Sequence, residues 1–335
     1  MNISFDVMAP GSTTDVDEFR EIIRRADRAG VSLIGAGDSM VHESFTIAGL
    51  IASNTASARV GLTMINPITR LAGTVAAGLA SLNYISKRRA YLILARGDGA
   101  VRNAGYTPAR VETARAYFLA VRELLETAEA TYKGRHIVLR SPLKEWGPGI
   151  PLGFVAEGPR MLHLAGELGD MVQVGTGMTK EVIQDSVERI KDGAVEGGRS
   201  LADVEIWWVG RFHLARTKQE ALEHPSTMTS LASMGNHALR GDFAEKQVPL
   251  ELHDRLAKYH RGFDYTKKGG QENVALMRRL GLLDYFGERF GIIGGPDDVV
   301  ERLRQLESLG VTNVGLSARR LRDMDLLEGV LRAVA

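Results

Sequence analysis

Eight short apolar runs, each followed by a stretch of helical spacing, leave this chain few folds to choose from. The runs are Ile3 to Met8, Val31 to Ala36, Arg59 to Met64, Ala90 to Ala95, Leu152 to Val155, Met171 to Val174, Val204 to Leu214 and Thr312 to Leu316. Short apolar runs bounded by turn residues read as buried strands, and strands that alternate with helices imply a parallel sheet covered by helices. Eight such units close most economically as an α/β fold of the (β/α)8 (TIM) barrel type. The rival is an open doubly wound sheet, which usually carries GxGxxG after its first strand; that motif is absent here. Residues 217 to 289 break the rhythm. They are polar and mostly of helical spacing, and they read as a helical insertion late in one domain that spans 1–335, able to arch over a site. Phe290 to Ile293 could add one more short strand.

Composition narrows the function. Of 335 residues, 44% are hydrophobic and 25% charged, which is ordinary for a globular protein with a sizeable core. Lys and Arg number 42 against 41 Asp and Glu, so bulk charge points to no nucleic-acid partner. Cysteine is absent, which removes disulfides, thiolate metal sites and cysteine nucleophiles. The N-terminal residues lack the pattern of a signal peptide, and no apolar run reaches the roughly 18 residues of a membrane span. The expectation is a cytoplasmic protein with no membrane partner. His224, His237, His253 and His260 lack metal-ligand spacing and read as solvated side chains, so no metal is expected.

The residues between Arg59 and Gly105 carry the most chemistry. A strand ends at Asn66-Pro67, a helix runs from Leu71 to Ile85, and a second strand ends in Arg96-Gly97-Asp98-Gly99. Two loops thus leave neighbouring parallel strands on one side. Thr63, Asn66, Arg70 and Arg96 offer hydrogen bonds and charge there, and Gly97 and Gly99 let backbone N–H groups approach an anionic, planar ligand. In a barrel the other strand ends join them: Asp38 to Phe45, Ala156-Glu157-Gly158-Pro159-Arg160, and Gly175-Thr176-Gly177. A helix start with free N–H groups and an arginine one position on suits a phosphate, although Gly-Pro can also simply open a helix. His42 and Glu43 are candidate acid–base groups, with a solvated loop histidine as the alternative for His42.

The ordered set Asn66-Pro-Ile-Thr-Arg70, Ile85-Ser-Lys-Arg-Arg-Ala90 and Ala95-Arg-Gly-Asp98 resembles the bacterial luciferase-like monooxygenase superfamily, which includes the methylenetetrahydromethanopterin reductases. The resemblance implies a flavin or deazaflavin cofactor. Its phosphate would contact Ala156, Glu157, Gly158, Pro159, Gly175, Thr176 and Gly177, and its ring would lie against Thr63, Met64 and Asn66, in some members through a non-proline cis peptide. It gives Arg96 the phosphate of FMN, with Gly97 and Asp98 beside it. The chain departs from the luciferase pattern at Arg88 and at Leu94, where glycine is usual. Asp38, within Gly35-Ala-Gly-Asp-Ser39, and Asp98 look more like the branch that uses coenzyme F-420, an 8-hydroxy-5-deazaflavin.

Two enzymatic readings follow. The first, favoured by Arg96 and by the frequency of FMN in the family, is a two-component monooxygenase. It would use reduced FMN from a separate flavin reductase, and O2, on a small organic substrate. The second is an F-420-dependent reductase or dehydrogenase that transfers hydride. A non-catalytic flavin-binding barrel is the remaining possibility. The family's habit implies a homodimer or homotetramer.

Overall fold

The computed structural model describes residues 1–6, 15–38, 43–140, 143–267, 270–317 and 321–334. Eight parallel strands close a barrel: β1 (Asn2–Asp6), β2 (Leu33–Ala36), β3 (Arg59–Ile65), β4 (Ala90–Leu94), β5 (Leu152–Ala156), β6 (Met171–Val174), β7 (Glu205–Val209) and β8 (Asn313–Leu316). β8 pairs with β1, Ile3 opposite Val314, which shuts the sheet. Period-two alternation splits each strand between two environments. Ile34, Val60, Leu62, Leu92, Phe154, Val172 and Val314 face the outer helices and join their large common core. Leu33, Tyr91, Ile93, Val155, Met171 and Trp207 form a separate cluster that fills the barrel. The strands β2, β4, β5, β6 and β7 thus put apolar side chains on both faces, which is why they read as apolar runs.

The helices obey their caps. Asp15 accepts from Asp17 N–H ahead of the helix Val16–Arg28, whose buried stripe is Phe19, Ile22, Ile23 and Ala26. The helix Ala72–Ile85 carries no charge and buries Val75, Ala76, Leu79 and Leu82. It ends near Arg88, whose φ of +66° is left-handed. This is the position where the luciferase pattern has glycine, so the chain keeps the turn while changing the residue. Among the described residues, no helix is long and apolar enough to cross a membrane.

Three expectations need correction. The run Val204 to Leu214 is two strands. β7 stays in the barrel, and Arg211–Leu214 leaves it to pair in parallel with Gly291–Gly294. Gly210 makes the break, because a Cβ there would meet Met178 Cε at 2.4 Å and the Phe290 carbonyl at 2.4 Å. The second correction follows from the first: the short strand near 290–293 belongs to that side pair and not to the barrel. Third, threonine as a cap and proline in the first turn read as a helix that starts at Thr107-Pro108 and runs to about Leu125, whereas the helix begins at Val111. Ala109 N–H donates to the Arg96 carbonyl (2.9 Å) and Arg96 Nε to the Ala109 carbonyl (2.6 Å), which holds 107–110 against the β4 loop instead of in a helical turn.

Between β7 and β8 the chain forms the helices Lys218–Glu223, Pro225–Ala238, His253–Gly262, Gln271–Arg279 and Leu283–Phe290, and then the helix Pro296–Ser308. Leu231, Leu256, Tyr259, Met277, Phe286 and Phe290 give this segment its own apolar core. A helix rich in charge can still be anchored when one stripe carries such residues.

Candidate active site

The C-terminal strand ends carry three polar groupings. The first joins the ends of β2 and β3. Arg70 lays its guanidinium along Asp38, Nε to Oδ2 at 2.9 Å and Nη2 to Oδ1 at 2.6 Å. It also donates to Ser44 Oγ (2.9 Å) and pairs with Glu43 at 2.9 Å. A fork-on-carboxylate pair of this kind is strong and directional, and it raises the Arg70 pKa further above its ordinary value. Asn66 turns the chain: its Oδ1 accepts from the N–H groups of Ile68 and Thr69, both at 3.0 Å. The peptide bond between Thr63 and Met64 is cis. Gly35 and Gly37 pack beneath it, since a Cβ on Gly37 would meet the Thr63 carbonyl at 2.5 Å.

Glu43, read as an acid–base group, has other work. Its carboxylate caps the helix Ser44–Asn54 by accepting from Thr46 N–H at 2.8 Å. Burial pushes its pKa up, but the N–H groups of Thr46 and Phe45 and the Arg70 guanidinium outweigh that and hold it below the usual range. Glu43 is thus a fixed anion that orients Arg70. Ser39 and His42 lie outside the described residues.

The second grouping joins β4 and β5. Gly97 has φ +86°, and a Cβ there would meet Val101 at 2.3 Å and Asn66 at 3.1 Å, so the β4 loop rests against the Asn66 turn. Asp98 pairs with Arg102 at 2.5 Å. Its other oxygen lies 3.1 Å from His237 Nδ1, while His237 Nε2 contacts Glu157. The Nδ1 approach is not aligned as a hydrogen bond, so that contact is chiefly electrostatic. His237 comes from the end of the helix Pro225–Ala238 and bridges carboxylates on two adjacent barrel loops. Burial lowers its pKa, but Asp98 and Glu157 prevail and push it up to about 9. It is a cation at neutral pH and not the solvated histidine that its spacing suggested. Its two nitrogens face different carboxylates, and among the described residues no His, Asp or Glu group could hold a metal.

The third grouping is a cleft between the Gly158 turn and the loop Gly175 to Gly177. Pro159 opens the helix Pro159–Leu168, with Gly158 as its N-cap. Lys246 and Arg289, both from the segment between β7 and β8, line the cleft with Gly158, Pro159 and Thr176. Arg289, 1% exposed, donates Nε to the Thr176 carbonyl (3.0 Å), Nη1 to the Gln247 carbonyl (3.1 Å) and Tyr285 Oη (2.7 Å), and Nη2 to the Lys246 carbonyl (2.6 Å). Lys246 Nζ donates to the Glu157 carbonyl (3.0 Å) and to the Ala238 carbonyl. Burial, opposed by Glu157, pushes the Lys246 pKa down to about 8. Thr176 is held from behind, Oγ1 to Ser186 Oγ at 3.0 Å. A Cβ on Gly158 would meet nothing within 4 Å, so the helix start opens onto free space.

Two arginines expected at a phosphate have partners elsewhere. Arg160 pairs with Glu112, with both side chains about two-thirds exposed, and it does not line the cleft. Arg96 is exposed, and its Nε goes to Ala109. Ala156 is buried with its side chain in the outer core, so only its backbone serves the site, its carbonyl accepting from Gly175 N–H at 3.0 Å. The cations in the cleft are Lys246 and Arg289, which sequence reasoning did not single out.

The luciferase-like monooxygenase family matches residues 2–313. A curated relative, the 5,10-methylenetetrahydromethanopterin reductase of Methanolobus tindarius, is 29% identical over 279 residues, 82% of this chain and 80% of its own. Among solved structures, the coenzyme F420 dependent tetrahydromethanopterin reductase of Methanopyrus kandleri superposes with a TM-score of 0.77 at 22% identity, covering 100% of this chain and 99% of that one. The oxygenating constituent of a Pseudomonas putida 3,6-diketocamphane monooxygenase, in complex with FMN, superposes with a TM-score of 0.66 at 14% identity, covering 100% and 98%.

Proposed function

The chain belongs to the luciferase-like monooxygenase family of oxidoreductases, and from that premise we propose that it is a deazaflavin-dependent reductase or dehydrogenase that moves hydride between coenzyme F-420 and an electrophilic carbon of its substrate. The observation that carries this reading is the kinship with 5,10-methylenetetrahydromethanopterin reductases across about four-fifths of both chains. It moves the weight from the FMN monooxygenase, favoured on the motifs alone, to the alternative. The FMN reading leaned on Arg96, an exposed side chain whose Nε donates to the Ala109 carbonyl.

The residues fit a cofactor with an anionic tail. The narrow cleft at Gly158 is lined by the cations Lys246 and Arg289 and the carboxylates Asp185 and Glu245, and Asn66 and Gly97 bring two loops into contact at the neighbouring strand ends. Backbone N–H groups at the start of the helix Pro159–Leu168 and in the Gly175 to Gly177 loop would hold the phosphate, and Thr63 to Asn66 would back the ring. A bound deazaflavin supplies a two-electron hydride carrier that reacts poorly with oxygen. The chain's own part is positioning and electrostatics. Arg70 locks Asp38 and the helix Ser44–Asn54 at one rim, and His237 keeps a proton between Asp98 and Glu157 at the next.

Fluorescence titration of the purified protein with coenzyme F-420 and, separately, with FMN tests the proposal. Tight binding of the deazaflavin, with weak binding of FMN, is expected. Preferential binding of reduced FMN with substrate-dependent oxygen uptake would replace this reading with the monooxygenase.

A further inference from the structure

The loops that follow β3 to β6 make a belt of contacts with one joint that the backbone does not close. β3 and β4 are held together up to the mouth: Ala95 N–H donates to the Ile65 carbonyl at 2.8 Å, and Gly97 rests on Asn66. β5 and β6 are held as far as Ala156, whose carbonyl takes the Gly175 N–H. A Cβ on Gly175 would meet Glu157 Cγ at 3.0 Å, so the Glu157 side chain lies over the β6 loop. Between β4 and β5 the ladder stops earlier, at Leu94 opposite Phe154. Beyond that point Asp98 and Glu157 carry like charges on neighbouring loops, and like charges push apart. His237 stands between them, Nδ1 3.1 Å from Asp98 and Nε2 against Glu157. It belongs to neither loop. It arrives on the helix Pro225–Ala238, whose Met228, Leu231 and Ala232 belong to the helical segment's own core.

We propose that His237 is a positioning residue: by joining Asp98 to Glu157 it sets the distance between the β3–β4 half of the mouth, where the cofactor ring would lie, and the β5–β6 half. This inference rests on the cofactor reading above and deepens it. A ligand that spans two loops binds more tightly when the loops are already set, because ordering them otherwise subtracts from the binding energy. The link needs a cation. A neutral imidazole carries one N–H and no charge, so it holds only one carboxylate. Burial lowers the His237 pKa, but Asp98 and Glu157 push it up to about 9, so the link is intact at neutral pH and opens as pH rises through 9. The other charged groups at this joint are Arg102, paired with Asp98, Arg240, which faces Asp98, Arg102 and Glu157, and Lys246, which faces Glu157, Arg240, Arg289 and Glu245. All of them remain when His237 is replaced.

The test compares the full-length wild type with His237→Gln, which keeps a donor and loses the charge, and with His237→Lys, a cation able to donate to both carboxylates. Hydrogen–deuterium exchange at pH 7 without cofactor reads the loops 95–102 and 155–160, and exchange of the outer helices reports whether each variant is folded. Fluorescence titration with coenzyme F-420 from pH 7 to pH 10 reads binding. At pH 7 His237→Gln is expected to exchange faster in both loops and to bind F-420 about 10-fold more weakly, with most of that loss restored in His237→Lys. At pH 10 wild type and His237→Gln are expected to bind alike. Loops that exchange alike at pH 7, or an affinity gap that is the same at pH 7 and pH 10, would overturn the role of His237 and leave the cofactor reading standing. A wild type that shows the exchange difference but takes up no F-420 would leave the link standing and remove the cofactor reading, and with it the role in binding.

Discussion

Replacing His237 with glutamine tests the electrostatics of the site most directly. His237 sits between Asp98 and Glu157 and is raised from about 6.5 to about 9 in the folded chain. A displacement of that size corresponds to about 3 kcal/mol of differential interaction. The sign follows from linkage. A group whose folded pKa lies above its unfolded value adds stability in full below pH 6.5, and loses it as pH rises through 9. His237→Gln is therefore expected to cost about 3 kcal/mol at pH 6, most of that at pH 7, and little at pH 10.

Other groups titrate nearby, and the comparison has to cancel them. Lys246, held near 8, has the opposite dependence: its folded form charges less readily than the unfolded chain, so its contribution improves as pH rises from 8 toward 10.5. Arg240, whose pKa burial lowers, also faces Asp98, Arg102 and Glu157. The useful quantity is thus the difference between wild type and variant, measured by urea denaturation at half-unit steps from pH 6 to 10. A gap that closes between pH 7 and 10 supports a charged imidazole between two carboxylates. A gap that stays constant would mean that His237 is neutral and merely packed, and the argument for a cationic bridge would fail.

Three further substitutions probe two other points of the site and one turn at the opposite end of the barrel. Arg70→Met leaves Asp38, whose side chain is 12% exposed, without its guanidinium, and should cost about 3 kcal/mol in denaturant unfolding. Gly97→Ala forces a side chain into Val101 at a φ of +86°; it should cost at least about 1 kcal/mol and weaken cofactor binding in titration, because the displaced loop rests on Asn66. Arg88→Gly relieves a left-handed residue at φ +66° and should stabilise the chain by about 1 kcal/mol, seen as a higher melting temperature, at the loss of only an exposed hydrogen bond to the Glu145 carbonyl.

Much of the fold was legible because the barrel writes itself locally. Val60, Leu62, Leu92 and Phe154 are apolar for the outer core, Tyr91, Ile93 and Trp207 for the inner one, and so each strand shows as a short continuous run. The break at Gly210 was not legible. One glycine inside a run of Ile, Trp, Val and Phe gives no local sign that the Phe290 carbonyl will approach it. The same holds for the helix that starts late, at Val111, because its delay comes from Arg96 and not from Thr107 or Pro108.

The site divides along the same line. Asp38, Asn66, Gly97, Glu157, Gly158 and Thr176 stand directly after strands, where barrel geometry alone gathers them at one end. What completes them comes from residues whose sequence surroundings look like ordinary helix surface. His237 follows an asparagine in a helix end, and Lys246 sits in an irregular stretch. Their meaning depends on Asp98 and Glu157 being far away in sequence and adjacent in space. A motif search finds groups that a loop presents by its own conformation. It misses a group whose charge is useful only because another element leaves a carboxylate opposite it. Strand ends therefore show where the polar groups of this barrel gather, while His237 and Lys246 reach those ends from the helical segment.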